Sequence, residues 1–172
     1  MLVVADTHWT EPPEHHGLPL QDHDVVVHAG DHVSRESLAL YDDVELHAVR
    51  GNADEADLEA SLPAETAFDL GGVDVGVVHG HRQRSEDELR YLALDLGVDL
   101  LVHGHSHTPR FDGSGGAALL DPGSPTRPRG GFPATYVQVE AGDGVVAGEF
   151  VETESREVYG SFETDFTVEE EM

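Results

Sequence analysis

Short apolar runs recur through the first two thirds of the chain, and each ends at a polar cluster of Gly, Asp, Asn or His. Short runs rich in Val and Leu that end at such turn residues are typical of buried strands. The pattern therefore predicts five strands, at Leu2–Ala5, Val25–His28, Glu45–Val49, Val73–Val78 and Asp99–Val102.

The polar stretches between these runs carry helix signals. The clearest covers Ser85–Leu96, where Ser85 and Glu88 have the spacing of a capping box and Gly97 supplies the stop. Two weaker helices are predicted, one from Ser34 to Tyr41 and one over Asp54–Ser61. Because strands alternate with helices, the chain is expected to form an α/β fold.

The C-terminal third has a different pattern. Strands are predicted at Ala117–Leu120, Ala134–Glu140 and Val145–Val151, and the turn 141–144 makes a hairpin of the last two. After Glu152 the sequence becomes acidic and shows no clear periodicity. We therefore expect one domain over residues 1–151 and an acidic tail over 152–172, with Tyr159–Phe166 packed on the domain.

Composition narrows the class of protein. The chain has 172 residues, a length that suits one domain with a sizeable core. It has no Cys, which excludes disulfides and thiolate metal sites. It also has neither an apolar run long enough to span a membrane nor a secretory signal pattern, so a cytoplasmic protein without membrane contact is expected.

The charge balance is extreme, with 35 Asp and Glu against nine Arg, no Lys, and a formal net charge of −26. Two interpretations compete: a surface suited to molar salt, where the Debye length is about 3 Å, or an acidic surface that binds a partner. The charges are spread along the whole chain, which favours the first and resembles proteins of extreme halophiles. Such a surface also argues against binding duplex nucleic acid, which relies on Lys and Arg at the phosphates.

Chemistry-bearing residues sit directly after the predicted strands. In open α/β sheets such positions converge in one crevice beyond the strand ends. Their oxygen and nitrogen ligands suit Mn²⁺, Fe, Zn²⁺ or Ni²⁺ better than Ca²⁺, and they outnumber the ligands of one tetrahedral ion. Two ions that share a carboxylate are the arrangement for displacement at phosphorus. The clusters are Asp6-Thr7-His8, Gly30-Asp31, Gly51-Asn52-Ala53-Asp54, His79-Gly80-His81 and Gly104-His105-Ser106-His107.

This ordered set of motifs, from Met1 to about Val151, resembles the calcineurin-like metallophosphoesterases. It is most similar to their small single-domain archaeal and bacterial phosphodiesterases, and the loop that begins at Asp121 resembles a Pro-Gly-Ser loop of that subfamily. The resemblance implies a four-layer αββα sandwich with the metal site at the carboxyl ends of the strands. It also implies hydrolysis of phosphodiesters, with phosphomonoesters as the second choice, by a metal-bridging hydroxide.

The resemblance also assigns roles to individual residues. Two divalent ions are implied, Mn²⁺ foremost, with Ni²⁺, Co²⁺, Fe²⁺ or Zn²⁺ as alternatives. The first ion would be held by Asp6, His8 and His107, and the second by Asn52, His79 and His105. Asp31 would bridge them by offering one oxygen to each, and the Asn52 amide would also touch the substrate.

One position departs from the family pattern. Ala53 stands where many members carry a His that protonates the leaving group, a contribution of about 10²–10⁴-fold. His81 or His32 could take that role, and His81 is the one we include in the catalytic set. Arg127 is a candidate for contact with a substrate phosphate, and ion pairing with the acidic surface is the competing interpretation. His103 is expected to be a strand residue near the site and not a ligand.

Two other functions stay open. A retromer subunit shares the implied fold and acts through protein contacts, so a non-enzymatic scaffold is one alternative, and a nuclease of the same superfamily is another. The intact set of seven ligands favours an enzyme that acts on a small phosphate ester. Self-association into a homo-oligomer is compatible with either.

Overall fold

The apolar runs become the central strands of two facing β-sheets in the computed structural model, which describes residues 1–167. In chain order the elements are β1 (Leu2–Val4), β2 (Val25–His28), β3 (Glu45–Ala48), α1 (Ala56–Ser61), β4 (Glu65–Leu70), β5 (Val73–Val78), α2 (Glu86–Leu96), β6 (Leu100–Val102), β7 (Pro109–Asp112), β8 (Ala118–Pro122), β9 (Thr135–Gly142), β10 (Val145–Glu152) and β11 (Val158–Asp165).

The first sheet has the order β11-β10-β9-β1-β2-β3, and the second has the order β4-β5-β6-β8-β7. Strands β1, β2 and β3 run parallel, as do β5, β6 and β8, whereas the outer strands are antiparallel to them. Parallel strands bring their carboxyl ends to the same edge of a sheet. The polar clusters that follow these strands are therefore gathered along one edge of the molecule.

Strand alternation divides the apolar side chains of β1 between two packed regions. Val3 faces the space between the sheets, where it packs with residues such as Val77 and Leu100. Leu2 and Val4 face the opposite side and pack near Tyr41. The predicted two-sheet α/β sandwich is confirmed, with strand ends free to carry a site.

Helix α2 covers the outer face of the second sheet through Leu89 and Ala93. Its start is as predicted, because the Glu88 N–H donates to Ser85 Oγ at 3.2 Å, and Gly97 closes it in the left-handed conformation. Neither α-helix of the described chain, with 6 and 11 residues, is long and apolar enough to cross a membrane.

The outer face of the first sheet lacks the α-helix predicted from Ser34. Glu36–Tyr41 instead forms a 3₁₀ helix. The Ser37 hydroxyl donates to the Ser34 carbonyl at 2.7 Å, and Ser34 donates to the Thr10 carbonyl at 2.5 Å. Such side-chain hydrogen bonds compete with regular helical ones, and they tie this segment to the loop after β1 instead.

The segment predicted as a tail contains strand β11, which pairs antiparallel with β10. Phe162 stacks on Phe111 with ring centroids 4.1 Å apart, and it lies opposite Gly148, whose missing side chain leaves room for the ring. The sheet thus continues past the predicted boundary at residue 151. The terminal acids Glu169–Glu171 lie outside the described residues.

Candidate metal centre

Four side chains from three different loops converge at the shared edge of the sheets. Each offers one ligand atom, and these atoms all lie within 4.8 Å of one another. Three of the four residues are buried, so the cluster faces the protein interior more than the solvent. The four are Asp6, His8, Asp31 and His107.

The loops that carry these side chains leave the strands abruptly. Asp6, His8, Asp31, His105 and His107 all have positive φ angles, between 51° and 73°. This backbone conformation is uncommon for residues other than Gly, it costs of order 1–3 kcal/mol, and it clusters at functional sites. Five such residues in one place indicate that the fold holds these side chains against local strain.

The first half of the cluster contains Asp6, His8 and His107. His107 Nε2 lies 3.5 Å from Asp6 Oδ1, and His8 Nε2 lies 3.6 Å from Asp31 Oδ2. His107 Nδ1 donates to the carbonyl of Arg127 at 2.7 Å, so Nε2 presents its lone pair to the cluster. Asp6 Oδ1 and His8 Nε2 are buried and have no hydrogen-bond partner among the described residues.

A second group of side chains adjoins these four, and we count it as the second half of the cluster. It is built around His79, which is fully buried and lies beside Asp6 and Asp31. Its Nδ1 donates to the carbonyl of Ala29 at 2.7 Å, which directs Nε2 into the cluster. Nε2 lies 3.0 Å from Asn52 Oδ1 and 3.3 Å from Asp31 Oδ2. The His105 ring stands edge-on to His79, with centroids 5.3 Å apart, on the solvent side.

Asp31 lies between the two halves through one oxygen. Oδ2 faces both His8 Nε2 and His79 Nε2, whereas Oδ1 accepts a hydrogen bond from the Ala53 N–H at 2.8 Å. The Ala53 N–H thus orients the carboxylate, and Asp31 presents Oδ2 to the two imidazoles.

The surroundings of the two acids shift their pKa values in opposite directions. Burial raises the pKa of Asp6 to about 8, against the opposing effect of His79. Burial also acts to raise the pKa of Asp31, but its hydrogen bonds to His79 and to the Ala53 N–H lower it to about 2. The pKa of His79 rises because its hydrogen bond to Asp31 and the nearby Asp6 outweigh burial.

These observations test whether divalent cations fit the cluster. Bonds of about 2.0–2.2 Å place neighbouring nitrogen and oxygen ligands of one ion about 3.0–3.6 Å apart. Four separations between ligand atoms of His8, Asp31, His79 and their neighbours fall between 3.0 and 3.6 Å. His79 Nε2 and Asp6 Oδ1, at 3.8 Å, lie slightly farther apart. A cation would also satisfy the unpartnered atoms of Asp6 and His8 and keep Asp6 ionised. The donors therefore fit cations that prefer nitrogen and oxygen.

Two glycines leave room for the ligand carboxylates. A Cβ at Gly104 would stand 2.8 Å from Ala5 Cβ and 3.1 Å from Asp6 Oδ2. A Cβ at Gly51 would overlap Asp31 Oδ1 and the Asp31 backbone nitrogen. Both positions require the close backbone approach that Gly alone permits.

Several supporting residues were not predicted from the sequence. Ser124 Oγ donates to the Asp6 carbonyl at 2.8 Å, and Ser106 Oγ donates to Asp121 Oδ2 at 2.6 Å. His28 Nε2 and Thr7 Oγ1 are hydrogen-bonded at 2.9 Å. Their position in the sequence could have identified them, because most of these residues lie next to a ligand or in a loop that follows a strand.

The remaining predicted residues lie around the cluster. His81 is exposed, with its ring 5.3 Å from that of His79, whereas His32 is buried and donates to the Val49 carbonyl at 3.0 Å. His32 is thus closed off from a substrate at the surface. His103 lies 3.6 Å from Asp121 Oδ2, outside the ligand cluster. The exposed Arg127 is close enough to contribute to the lowered pKa of His8, in which burial is the largest cause.

This chain is similar to known proteins in both its sequence and its fold. Residues 1–144 match the calcineurin-like phosphoesterase superfamily domain. A probable metallophosphoesterase from Methanocaldococcus jannaschii is 35% identical over 135 residues, which cover 74% of this chain and 68% of the relative. A predicted phosphoesterase from Streptococcus pneumoniae superposes with a TM-score of 0.77 at 26% identity, covering 95% of both chains. Vacuolar Protein Sorting 29 from Cryptosporidium parvum superposes with a TM-score of 0.80 at 19% identity, covering 95% of this chain and 96% of that one, which shows the fold alone.

Proposed function

Because this chain belongs to the calcineurin-like phosphoesterase superfamily, we propose that it is a metal-dependent hydrolase of phosphodiesters that uses two divalent cations. Family membership and the similarity to probable metallophosphoesterases support the general part of this proposal, that the chain is a metal-dependent phosphoesterase. We further propose that it prefers diesters to monoesters, uses two ions and takes Mn²⁺ as the metal.

The residue roles follow the two halves of the cluster. In the proposal, Asp6, His8 and His107 hold one cation, and Asn52, His79 and His105 hold the other. Asp31 would be shared by both. When bound, the two cations would supply an activated water and neutralise the phosphate oxygens.

The observation that carries the proposal is the pair of unpartnered atoms, Asp6 Oδ1 and His8 Nε2. A buried polar atom without a partner costs about 1–3 kcal/mol, and more for a charged group. Both atoms point into a cluster whose other members direct their lone pairs to the same space. A bound cation removes this cost, whereas a purely structural role leaves it unexplained.

At the rim, Asn52 and Arg127 are proposed to contact the substrate phosphate. Both are exposed and flank opposite halves of the cluster. His81 is proposed to act on the leaving group, since it is the exposed imidazole beside His79 that no assigned metal role uses. Because Asn52 is proposed both to hold one cation and to contact the phosphate, it would lie between that cation and the substrate.

The test combines metal analysis with two substrates. The purified protein is expected to bind close to two equivalents of Mn²⁺ and to hydrolyse bis-p-nitrophenyl phosphate faster than p-nitrophenyl phosphate. The Asp31→Asn variant should lose bound metal and turnover, whereas Asp95→Asn, an exposed Asp on α2, should keep both. Equal turnover by Asp31→Asn and the unaltered protein would refute the enzyme proposal, and retained metal without turnover of any ester would favour a scaffold.

We also propose that the acidic surface is an adaptation to concentrated salt. Only three of the nine arginines pair with a carboxylate within residues 1–167, although the whole sequence carries 35 acids. The many acidic side chains repel one another, and concentrated salt would screen that repulsion.

A further inference from the structure

The few cations of this chain are distributed unevenly. Arg35, Arg90 and Arg110 form ion pairs with carboxylates. The other six arginines form no ion pair with a carboxylate within residues 1–167, although the chain has 35 acids. They are Arg50, Arg82, Arg84, Arg127, Arg129 and Arg156.

Four of these six surround the proposed metal centre. Arg127 and Arg129 border it on the His107 side, where the Arg129 N–H donates to the His107 carbonyl at 3.1 Å. Arg50 and Arg82 border it on the other side, next to His79 and His81. The centre therefore has a cationic rim on a strongly acidic molecule, which would concentrate anions there.

The rim on the His79 side contains a small cavity of about 120 Å³, which we call the arginine pocket. It opens beside the ligand cluster and has room for several water molecules or one small polar group. Its polar lining consists of Arg50, Glu65, His79, His81, Arg82 and Gln83.

The charges in this pocket are available to a ligand. Arg50 Nη1 donates to the carbonyls of Glu59 at 3.0 Å and Leu62 at 3.4 Å, so neutral backbone groups hold the guanidinium in place. Glu65, the one acid in the lining, forms no ion pair with Arg50 or Arg82. The pocket thus keeps a net positive charge, with one arginine anchored and one exposed.

We propose that the arginine pocket binds a second anionic group of the substrate. The substrate class is then a phosphodiester with one arm that ends in a carboxylate or a phosphate, while the scissile phosphate lies at the metal centre. This inference rests on the proposed function. Charge-assisted hydrogen bonds from Arg50 and Arg82 would recognise the group, since planar guanidinium pairs well with both anions.

Binding of unreactive phosphonates tests the pocket without turnover. Calorimetry with the Mn²⁺-loaded protein compares propylphosphonate with phosphonopropionate, which differ in a methyl or a carboxylate at the end of the same chain. We expect the carboxylate to bind about tenfold more tightly. Ethylene bisphosphonate, with a second phosphonate in that place, distinguishes a preference for phosphate from one for carboxylate.

Three variants locate the effect. The ratio of the two affinities should fall towards one in Arg50→Gln and in Arg82→Gln. It should stay at the value of the unaltered protein in Arg84→Gln, because Arg84 is exposed, unpaired in the described chain and outside the pocket lining. Since Arg50 also holds the backbone of α1 and its following residue, Arg82→Gln is the decisive variant if Arg50→Gln fails to fold.

A ratio near one in the unaltered protein would overturn the inference, and so would an equal fall in Arg84→Gln, which would indicate only a general charge effect. Failure of the proposed function is a separate result. It would appear as no hydrolysis of p-nitrophenyl ethyl phosphate, a diester without a second anion, with any of the divalent metals.

Discussion

A single methyl group at position 51 tests how tightly the position of Asp31 is determined. The backbone of Gly51 lies outside the left-handed region, so alanine can adopt its conformation without strain. The added Cβ would nevertheless overlap Asp31 Oδ1 and the Asp31 backbone nitrogen, and would stand 2.9 Å from its Cγ. Gly51→Ala therefore changes no ligand and acts only by displacing one.

The expected magnitude follows from this overlap. All three of the closest atoms belong to the Asp31 backbone or to its carboxylate, which the Ala53 N–H holds, so relief requires a movement of Asp31 or its loop by about 1 Å. Misplacement by about 1 Å costs about 10²-fold in rate. Insertion of one methyl into a packed site costs about 1–3 kcal/mol of unfolding free energy, or about 2–4 °C in melting temperature for each kcal/mol.

The assay measures kcat/KM for bis-p-nitrophenyl phosphate, Mn²⁺ affinity by calorimetry, and melting by circular dichroism. Gly142→Ala is the matched control, because its Cβ would meet nothing within 4 Å and its backbone also lies outside the left-handed region. We expect the control to keep kcat/KM and metal affinity, and Gly51→Ala to lose about 100-fold in kcat/KM while still folded. A folded Gly51→Ala protein with unchanged kcat/KM and metal affinity would refute the reasoning.

Three further predictions concern stability. Removal of metal with EDTA should lower the melting temperature, and Mn²⁺ at a hundred times its Kd should restore about 2.7 kcal/mol, an effect that must vanish in Asp31→Asn. Phe162→Ala removes the stack on Phe111 and the cover over Gly148, so urea denaturation should show a loss of about 2–3 kcal/mol, against almost none for the exposed Val158→Ala; equal losses would contradict the role of the ring. The melting temperature should rise as KCl increases to about 1 M, where the Debye length is about 3 Å, and a constant value would contradict the salt interpretation.

The central strands and the ligand clusters could be predicted because both depend on local sequence. The short run Val25–His28 begins with three valines and is followed by Gly30, a pattern that favours a buried strand, and Asp31 follows it within three residues. Parallel strand direction then brings such clusters together without further information. The pairing of Ser85 with Glu88 at the start of α2 is local in the same way, and it too is present in the structure.

The strands that were not predicted from the sequence lie at the edges of the two sheets, where the hydrophobic pattern is weaker. Strands β4 and β11 expose at least half of their residues, and two of the exposed positions in each are acidic. Strand β7 has four residues, and only Pro109 among them is buried. In β11 the partly buried positions are Gly160, Phe162 and Thr164, which alternate with exposed residues. That alternation is present in the sequence, but only one of its three inward residues is apolar, so the acidic composition dominated the interpretation as a tail.

The site itself shows where residue type stops being informative. The choice of Asp at position 31 predicts a carboxylate, but which oxygen faces the cluster depends on the Ala53 N–H, a backbone group that any residue at position 53 would supply. In the same way, Arg82 and Arg84 are indistinguishable in sequence, two residues apart and both unpaired in the described chain, and only the fold puts one of them in the pocket lining. Ligand identity can thus be predicted from motifs, whereas substrate selection by the rim depends on distances that arise only when β5 and the loops beside it are assembled.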